Sequence, residues 1–252
     1  MTLQFTAAAK AELAPTGVLR AGINIANFLL VTSKDENTGE PCGVAPDMAR
    51  ALAARLDVPL KLIPFESPGK LADAAGSGIW DVGLLGAEPS RAEQIAFTAA
   101  YVEIEASYLV PPGSKLQSME EVDRPGVRIA ISARSAYDLY LSRHLKHATL
   151  ERIEGIDAAY RHFVNGGLDA LAGLKPGLLA NAEALKGSRI LEGHFTTVQQ
   201  AMGTPVKYQA GAACLRQFVE EAKASGLVEQ LIAKHRVRGL SVAPAARPDA
   251  KI

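Results

Sequence analysis

The stretch Asp81-Val-Gly-Leu-Leu-Gly86-Ala-Glu-Pro-Ser-Arg91 places an arginine just beyond an apolar strand. Asp81 to Gly86 has the length and apolar run of a buried strand, and the residues that follow have the composition of a turn. Ligands of open α/β sheets gather at the carboxyl ends of strands, and a guanidinium can hold a carboxylate through two parallel hydrogen bonds. The stretch therefore predicts an anion-binding group at a sheet edge. Taken alone, it also fits a solvated or salt-bridged surface arginine.

Outward from this stretch, strand-like and helix-like runs alternate along the chain. The strand-like runs are 19–24, 60–65, 80–86, 107–110, 127–132, 168–173 and 189–195. The helix-like runs are 46–56, 71–75, 135–145, 156–163, 175–185, 208–223 and 227–235. Such alternation predicts an α/β fold of mostly parallel sheets flanked by helices. The Pro-Pro-Gly-Ser cluster at 111–114 predicts the start of a second lobe.

Composition excludes several classes of partner. The chain has 252 residues, 48% of them hydrophobic, and 27 basic residues balance 27 acidic ones. No basic block offers a footprint for nucleic acid or an anionic membrane, and no apolar run approaches the roughly 20 residues that span a bilayer. Residues 1–15 lack the pattern of a secretory signal, so we expect a cytoplasmic protein or one whose leader was removed. The two cysteines, Cys42 and Cys214, form no metal or redox motif, and their spacing leaves open whether they pair.

Five stretches occur in an order that is far more specific than any one motif: Leu19-Arg-Ala-Gly-Ile-Asn24, Gly43-Val-Ala-Pro-Asp47, Trp80-Asp81-Val-Gly, Arg91, and Ile95-Ala-Phe97-Thr98-Ala-Ala-Tyr101. From about Leu13 to Arg238 the chain resembles the family-3 extracellular solute-binding proteins, the polar amino-acid receptors of ABC importers. The resemblance implies the two-lobed type II periplasmic-binding-protein fold. It also implies that 101–110 and 195–203 cross between lobes and that a ligand is trapped in the cleft by hinge closure.

On this resemblance the lobes are 1–107 with 199–240, and 108–198. The tail 241–252 has no apolar periodicity, so we expect a loosely attached end without a function. In the family, the arginine at the position of Arg91 holds a ligand carboxylate, and the backbone at 133–136 adds amide donors at a helix start. The family also implies a periplasmic monomer that passes its ligand to an ABC permease. No cofactor is expected.

Two departures from the family pattern bear on ligand choice. Leu174 stands where amino-acid receptors of the family place the acidic partner of the ligand ammonium, and Lys175 follows it. If Lys175 faces the ligand, it favours a second anionic group, although a solvated lysine at a helix start fits equally well. Asn27 stands where relatives place a stacking aromatic, and Phe28 either substitutes for it or belongs to the core. Glu105 on the first crossing strand either supplies the missing ammonium partner or faces solvent.

We therefore expect a non-catalytic receptor for a small carboxylate-bearing molecule, an amino acid or a related organic acid. Its predicted ligand-binding residues are Arg91, Asn24, Asn27, Phe28, Gly86, Ala87, Glu105, Ser132, Ser135, Ala136, Lys175 and Gln200. The alternative is an enzyme like the cyclohexadienyl dehydratases, which share the two-lobed fold. That reading needs a buried carboxylic acid with a raised pKa, for which Glu105 is the candidate.

Two further patterns receive no chemical role. Ser67-Pro-Gly-Lys70 fits Ser-x-x-Lys, but its Pro-Gly predicts a loop, in which hydroxyl and amine do not meet. His144 and His147 lack a third nearby ligand, so we expect a solvated helix face and no metal.

Overall fold

The computed structural model describes residues 5–246, which form two compact units. The first takes in the chain up to Glu103 and again from Gln199, and the second runs from Ile104 to Val198. The strands are β1 (Leu19–Asn24), β2 (Ser33–Lys34), β3 (Pro41–Cys42), β4 (Leu60–Phe65), β5 (Val82–Gly86), β6 (Ile95–Val110), β7 (Arg128–Ser132), β8 (Thr149–Ile153), β9 (Ala170–Leu174), β10 (Arg189–Ile190), β11 (Thr196–Pro205) and β12 (Ser241–Val242). The helices are α1 (Ala7–Leu13), α2 (Val44–Leu56), α3 (Pro68–Asp73), α4 (Pro89–Ala92), α5 (Ala136–His144), α6 (Ile156–Asn165), α7 (Lys175–Ala184), α8 (Gln209–Ala224) and α9 (Leu227–Lys234).

The first unit is a sheet covered on both faces. Its strand order is β4-β1-β5-β11-β6, in which β4 and β5 run parallel to β1 and β11 runs antiparallel to β5. One face packs against α1, α2, α8 and α9 through a core that includes Met48, Leu52, Leu215 and Phe218. The other face carries a smaller cluster around Trp80. Because both faces are covered, β5 is a continuous apolar run, as the sequence indicates.

The second unit repeats this pattern on a smaller scale. Its strand order is β6-β9-β7-β8, with β7 parallel to both β8 and β9. Helices α6 and α7 cover one face through Phe163 and Leu178. The predicted α/β fold with mostly parallel central strands is confirmed in each unit. No helix within residues 5–246 is long and apolar enough to cross a bilayer.

In each unit an aspartate connects the start of one parallel strand to the start of its neighbour. In the first unit these strands are β5 and β1, and in the second they are β9 and β7. Asp81 donates its N–H to the carbonyl of Arg20 at 2.8 Å, and its Oδ2 accepts the Arg20 N–H at 3.1 Å. In the second unit, Asp169 donates to the carbonyl of Arg128 at 3.0 Å and accepts the Arg128 N–H at 2.8 Å. We call this reciprocal pair of hydrogen bonds the aspartate clamp. It fixes the register of the parallel strands at their amino ends.

Three expectations about local structure are wrong. The tail is attached up to Ala246, because β12 pairs with β6, Ala243 is buried and the Ala246 N–H donates to Glu220. The remaining residues, 247–252, lie outside the described part. The strand predicted at 189–195 ends at Ile190, and Gly193 then takes a positive φ of 82° that interrupts it. Ser67 caps helix α3 and accepts the N–H of Lys70 at 3.2 Å, because proline is favourable in the first helical turn.

Candidate functional site

The carboxyl ends of β1 and β5 lie side by side in the first unit. Ile23 of β1 pairs with Leu84 of β5, so Asn24 and Gly86 end the two strands at nearly the same level. We call the place where these strands end, with the turns that follow, the carboxyl edge. It is the place where open parallel sheets bind their ligands.

Arg91 is held at the carboxyl edge with its side chain buried. It lies in the short helix α4, is 6% exposed, and donates from its guanidinium to the carbonyl of Gly86 at 2.7 Å. Gly86 pairs with Gln200 across β11, while Ala87 donates to the carbonyl of Gln199 at 2.8 Å. In an antiparallel ladder these contacts alternate, so the Gly86 carbonyl faces away from β11, toward the β1 side. The guanidinium therefore lies beside the end of β1.

Three further predicted residues lie at the end of β1 or just after it. Asn24 is 9% and Asn27 5% exposed, and each amide closes a turn of its own backbone. Oδ1 of Asn24 accepts the N–H of Ala26, and Oδ1 of Asn27 accepts that of Leu29, both at 3.2 Å. Phe28 is 42% exposed, so it is not a core residue. The carboxyl edge thus combines a buried cation, two oriented amides and an accessible aromatic ring.

Gln200 lies on the strand beside Gly86 and is 4% exposed. Within the described residues its Oε1 has no hydrogen-bond partner and is shut off from solvent. A buried acceptor without a partner costs about 1–3 kcal/mol. Gln200 is therefore a locally unfavourable polar group within β11.

The second unit contains the predicted helix start after β7. Ser135 caps α5 and accepts the N–H of Asp138 at 3.1 Å, and both Ser132 and Ser135 hydrogen-bond to Tyr137. Ser132 is 8% exposed, and Ser135 and Ala136 are each 7% exposed. Burial raises the pKa of Tyr137 to about 12, despite these two hydroxyls.

A carboxylate of the chain itself lies at this helix start. Asp138 accepts the backbone N–H of Arg134 at 2.8 Å and the side chain of Arg152 at 2.9 Å. Of the segment 133–136, three backbone amides are engaged within the chain, because Ala133 donates to the carbonyl of Ile153 at 2.8 Å and Ser135 to that of Ser132 at 3.3 Å, besides the Arg134 bond. The contact of Asp138 with Arg152, which crosses from β8, carries no local signal in the sequence.

Glu105 and Lys175 form an ion pair in the second unit. Lys175 donates to Glu105 at 2.7 Å, and His194 lies 3.4 Å from the other carboxylate oxygen. The register of β6 with β9 explains this meeting, because Ala106 pairs with Leu174. The sequence does not indicate that Glu105 and Lys175 form a pair, and no motif indicates that His194 lies beside them.

The environment of Glu105 does not suit a proton donor. Its side chain is 44% exposed, and the hydrogen bond from Lys175 is the main reason why its pKa lies below the ordinary value. The dehydratase interpretation requires the opposite shift. Glu105 therefore lacks the property for which it was the candidate acid.

Other reactive groups within residues 5–246 are dispersed. Cys42 and Cys214 are both free thiols. No three histidine, cysteine or acidic side chains of this part converge as metal ligands would.

Solved structures of the same fold are numerous, although no curated protein sequence matches the chain. An ancestral amino acid-binding protein, AncCDT-1, described as a precursor of cyclohexadienyl dehydratase, is 22% identical with a TM-score of 0.72 over 89% of this chain and 98% of its own. A mutant of ArgBP from T. maritima is 21% identical with a TM-score of 0.73 over 91% of this chain and 100% of its own. A substrate-binding protein of an amino acid ABC transporter from Streptococcus pneumoniae, bound to L-arginine, is 18% identical with a TM-score of 0.73 over 94% of this chain and 100% of its own.

These structures confirm the two-lobed fold of periplasmic binding proteins. Residues 22–237 match the model of the bacterial extracellular solute-binding proteins, family 3. That match spans all the motifs from Gly43 to Tyr101 and the second half of the first strand. The chain belongs to the bacterial extracellular solute-binding proteins, family 3.

Proposed function

We propose that this protein captures a small carboxylate-bearing ligand, an amino acid or a related organic acid, and that Arg91 binds the carboxylate. The observation that carries the proposal is the burial of Arg91 at the carboxyl edge. Arg91 is 6% exposed as a whole residue, and the hydrogen bond to the Gly86 carbonyl orients its guanidinium before a ligand arrives. It can therefore bind a planar anion with little further loss of side-chain entropy.

The surroundings of Arg91 support the same ligand class. Asn24 and Asn27 add amide groups to the carboxyl edge, and the exposed ring of Phe28 offers an apolar surface for a ligand of a few carbons. Proteins of the same fold have been solved with bound lysine, arginine or glutamine. All three are small molecules with an α-carboxylate, which is the group we assign to Arg91.

We propose that the protein works in the periplasm and that it delivers the bound ligand to an ABC permease. Closure of the two lobes about the crossing strands, expected from the family resemblance, stays a prediction. We do not favour the dehydratase alternative, because the ion pair with Lys175 lowers the pKa of Glu105. The AncCDT-1 likeness is a likeness of fold.

Isothermal calorimetry against a panel of amino acids and dicarboxylates tests the proposal. Arg91→Met keeps much of the apolar packing of the arginine stem but removes the charge. If the ligand carboxylate pairs with a buried guanidinium, the loss is about 2–5 kcal/mol, or roughly 30-fold to several thousand-fold in Kd. Arg216→Ala, at an exposed position of α8, is the matched control and should bind like the parent. An Arg91→Met protein that folds and binds its ligand with the parental Kd would refute the assignment.

A further inference from the structure

The two asparagines of the carboxyl edge have amide groups whose orientation is fixed by chemistry. Each Oδ1 faces a backbone N–H, that of Ala26 for Asn24 and that of Leu29 for Asn27, at 3.2 Å. A backbone N–H only donates, so the atom that faces it must be the oxygen. Rotating either amide by half a turn would set two donors against each other. The Nδ2 group of each asparagine is therefore the one directed away from its own turn.

Both Nδ2 groups remain available to a ligand. Within residues 5–246 neither donates a hydrogen bond to protein, and neither is among the unpartnered atoms that are shut off from solvent. Asn24 is nevertheless only 9% and Asn27 5% exposed. The small accessible part of each residue thus includes its amide nitrogen. The carboxyl edge presents two N–H donor groups on rigid, largely buried bases.

This arrangement distinguishes between two kinds of amino-acid side chain. An ammonium or guanidinium group has only donors, so it would meet a second donor at each Nδ2. A carboxylate, carboxamide or hydroxyl oxygen accepts from both. Asn24 ends β1, the N–H of Asn27 donates to the Asn24 carbonyl at 3.3 Å, and Arg91 lies beside the end of the same strand, so all three belong to the carboxyl edge.

We propose that Asn24 and Asn27 bind an acceptor group at the far end of the ligand, which is therefore acidic, amidic or hydroxylated rather than cationic. The inference rests on the proposed function, since it takes the Arg91-bound carboxylate as given. It sets this chain apart from the proteins of the same fold that were solved with bound arginine or lysine.

Calorimetry with chain-matched ligand pairs is the first test. L-glutamate and L-glutamine are each paired with L-ornithine, whose terminal nitrogen lies equally far along the side chain. The longer L-lysine and L-arginine, and dicarboxylates such as succinate and malate, complete the panel. We expect the acceptor-bearing member of at least one pair, or a dicarboxylate, to bind about tenfold or more tightly than any cationic ligand.

Asn27→Asp and Asn24→Asp are the second test, because aspartate closes the same turn through Oδ1 but replaces the Nδ2 donor by an oxygen. Each variant should weaken the acceptor-bearing ligand by about tenfold to hundredfold and strengthen L-lysine or L-ornithine. Asn37→Asp adds the same charge at an exposed turn position and serves as the control. It should leave both affinities unchanged.

The outcomes separate this inference from the proposed function. If L-lysine or L-arginine binds most tightly and that binding is lost in Arg91→Met, the receptor assignment stands and the acceptor preference is wrong. The inference also fails if the aspartate variants keep the parental ligand preference. If no member of the panel binds, or if binding ignores Arg91, both proposals are wrong.

Discussion

Gln200→Met should make the protein more stable. Gln200 is 4% exposed, and its Oε1 is buried without a hydrogen-bond partner among the described residues. Within those residues its amide also donates no hydrogen bond to protein. Methionine has a similar length, no donor and only a weakly accepting sulfur, so it fills the same space without burying an unpartnered polar group.

The size of the effect follows from two opposing terms. Removing an unpartnered buried acceptor gains about 1–3 kcal/mol, whereas a volume-conserving exchange in a packed strand costs less than about 1.5 kcal/mol. The net expectation is a gain of about 1 kcal/mol. For a chain of this length, that corresponds to a rise in Tm of roughly 2–4 °C.

Differential scanning calorimetry of the ligand-free protein measures this change. Gln217→Met, on the exposed side of α8, is the control and should change stability by less than about 0.5 kcal/mol. If Gln200 also contacts the ligand, as the sequence analysis predicts, the Met variant binds more weakly while it melts at a higher temperature. A fall in Tm of the Gln200→Met protein would refute the reasoning, because it would mean that the amide makes favourable contacts.

Two further predictions concern the elements that hold α2 in the first unit. Gly43→Ala should lower stability by at least about 1 kcal/mol, because Gly43 has a φ of 150° and an added Cβ would lie 2.2 Å from the carbonyl oxygen of Leu30; an unchanged Tm in calorimetry would contradict this. Burial alone would raise the pKa of Asp47, but hydrogen bonds from Lys234, His235 and Arg50 outweigh it and lower that pKa. The stabilisation is therefore complete above pH of about 4, the ordinary value, and is lost as the pH falls through the lower folded value. Chemical denaturation of Asp47→Asn and the parent should show a stability gap at neutral pH that narrows below pH of about 4, and a gap independent of pH would count against it.

The sequence predicted most of the fold because most elements carry their own signal. The run 46–56 has apolar residues at helical spacing and is found as α2. The first helix, by contrast, is mostly alanine, with little periodicity to detect. It is held by contacts distant in sequence, since Glu12 accepts the N–H of Gly211 at 2.6 Å. Strand β8, at the edge of the sheet, was missed for a related reason, because its two charged residues are adjacent and no alternation of apolar with polar residues marks it.

The sequence predicted the position of a site residue only where the neighbouring residues form a local pattern. Arg91 follows a buried strand, and its placement at the carboxyl edge was predicted. The ion pair of Glu105 with Lys175 joins residues that are 70 positions apart. Only the register of β6 with β9 brings them together, and neither residue type specifies that register.

The family motifs that made the chain recognisable serve mainly its framework. Asp81 of the Trp-Asp motif forms an aspartate clamp at the amino end of β5, while Gly86 and Asn24 end their strands at the carboxyl edge. About five residues of strand, or roughly 15 Å, separate the two ends. At such distances substitutions act almost independently on stability. Asn24 and Asn27 can therefore set the ligand preference without disturbing the clamp, which is why a chain can keep the family fold and differ in the molecule that it binds.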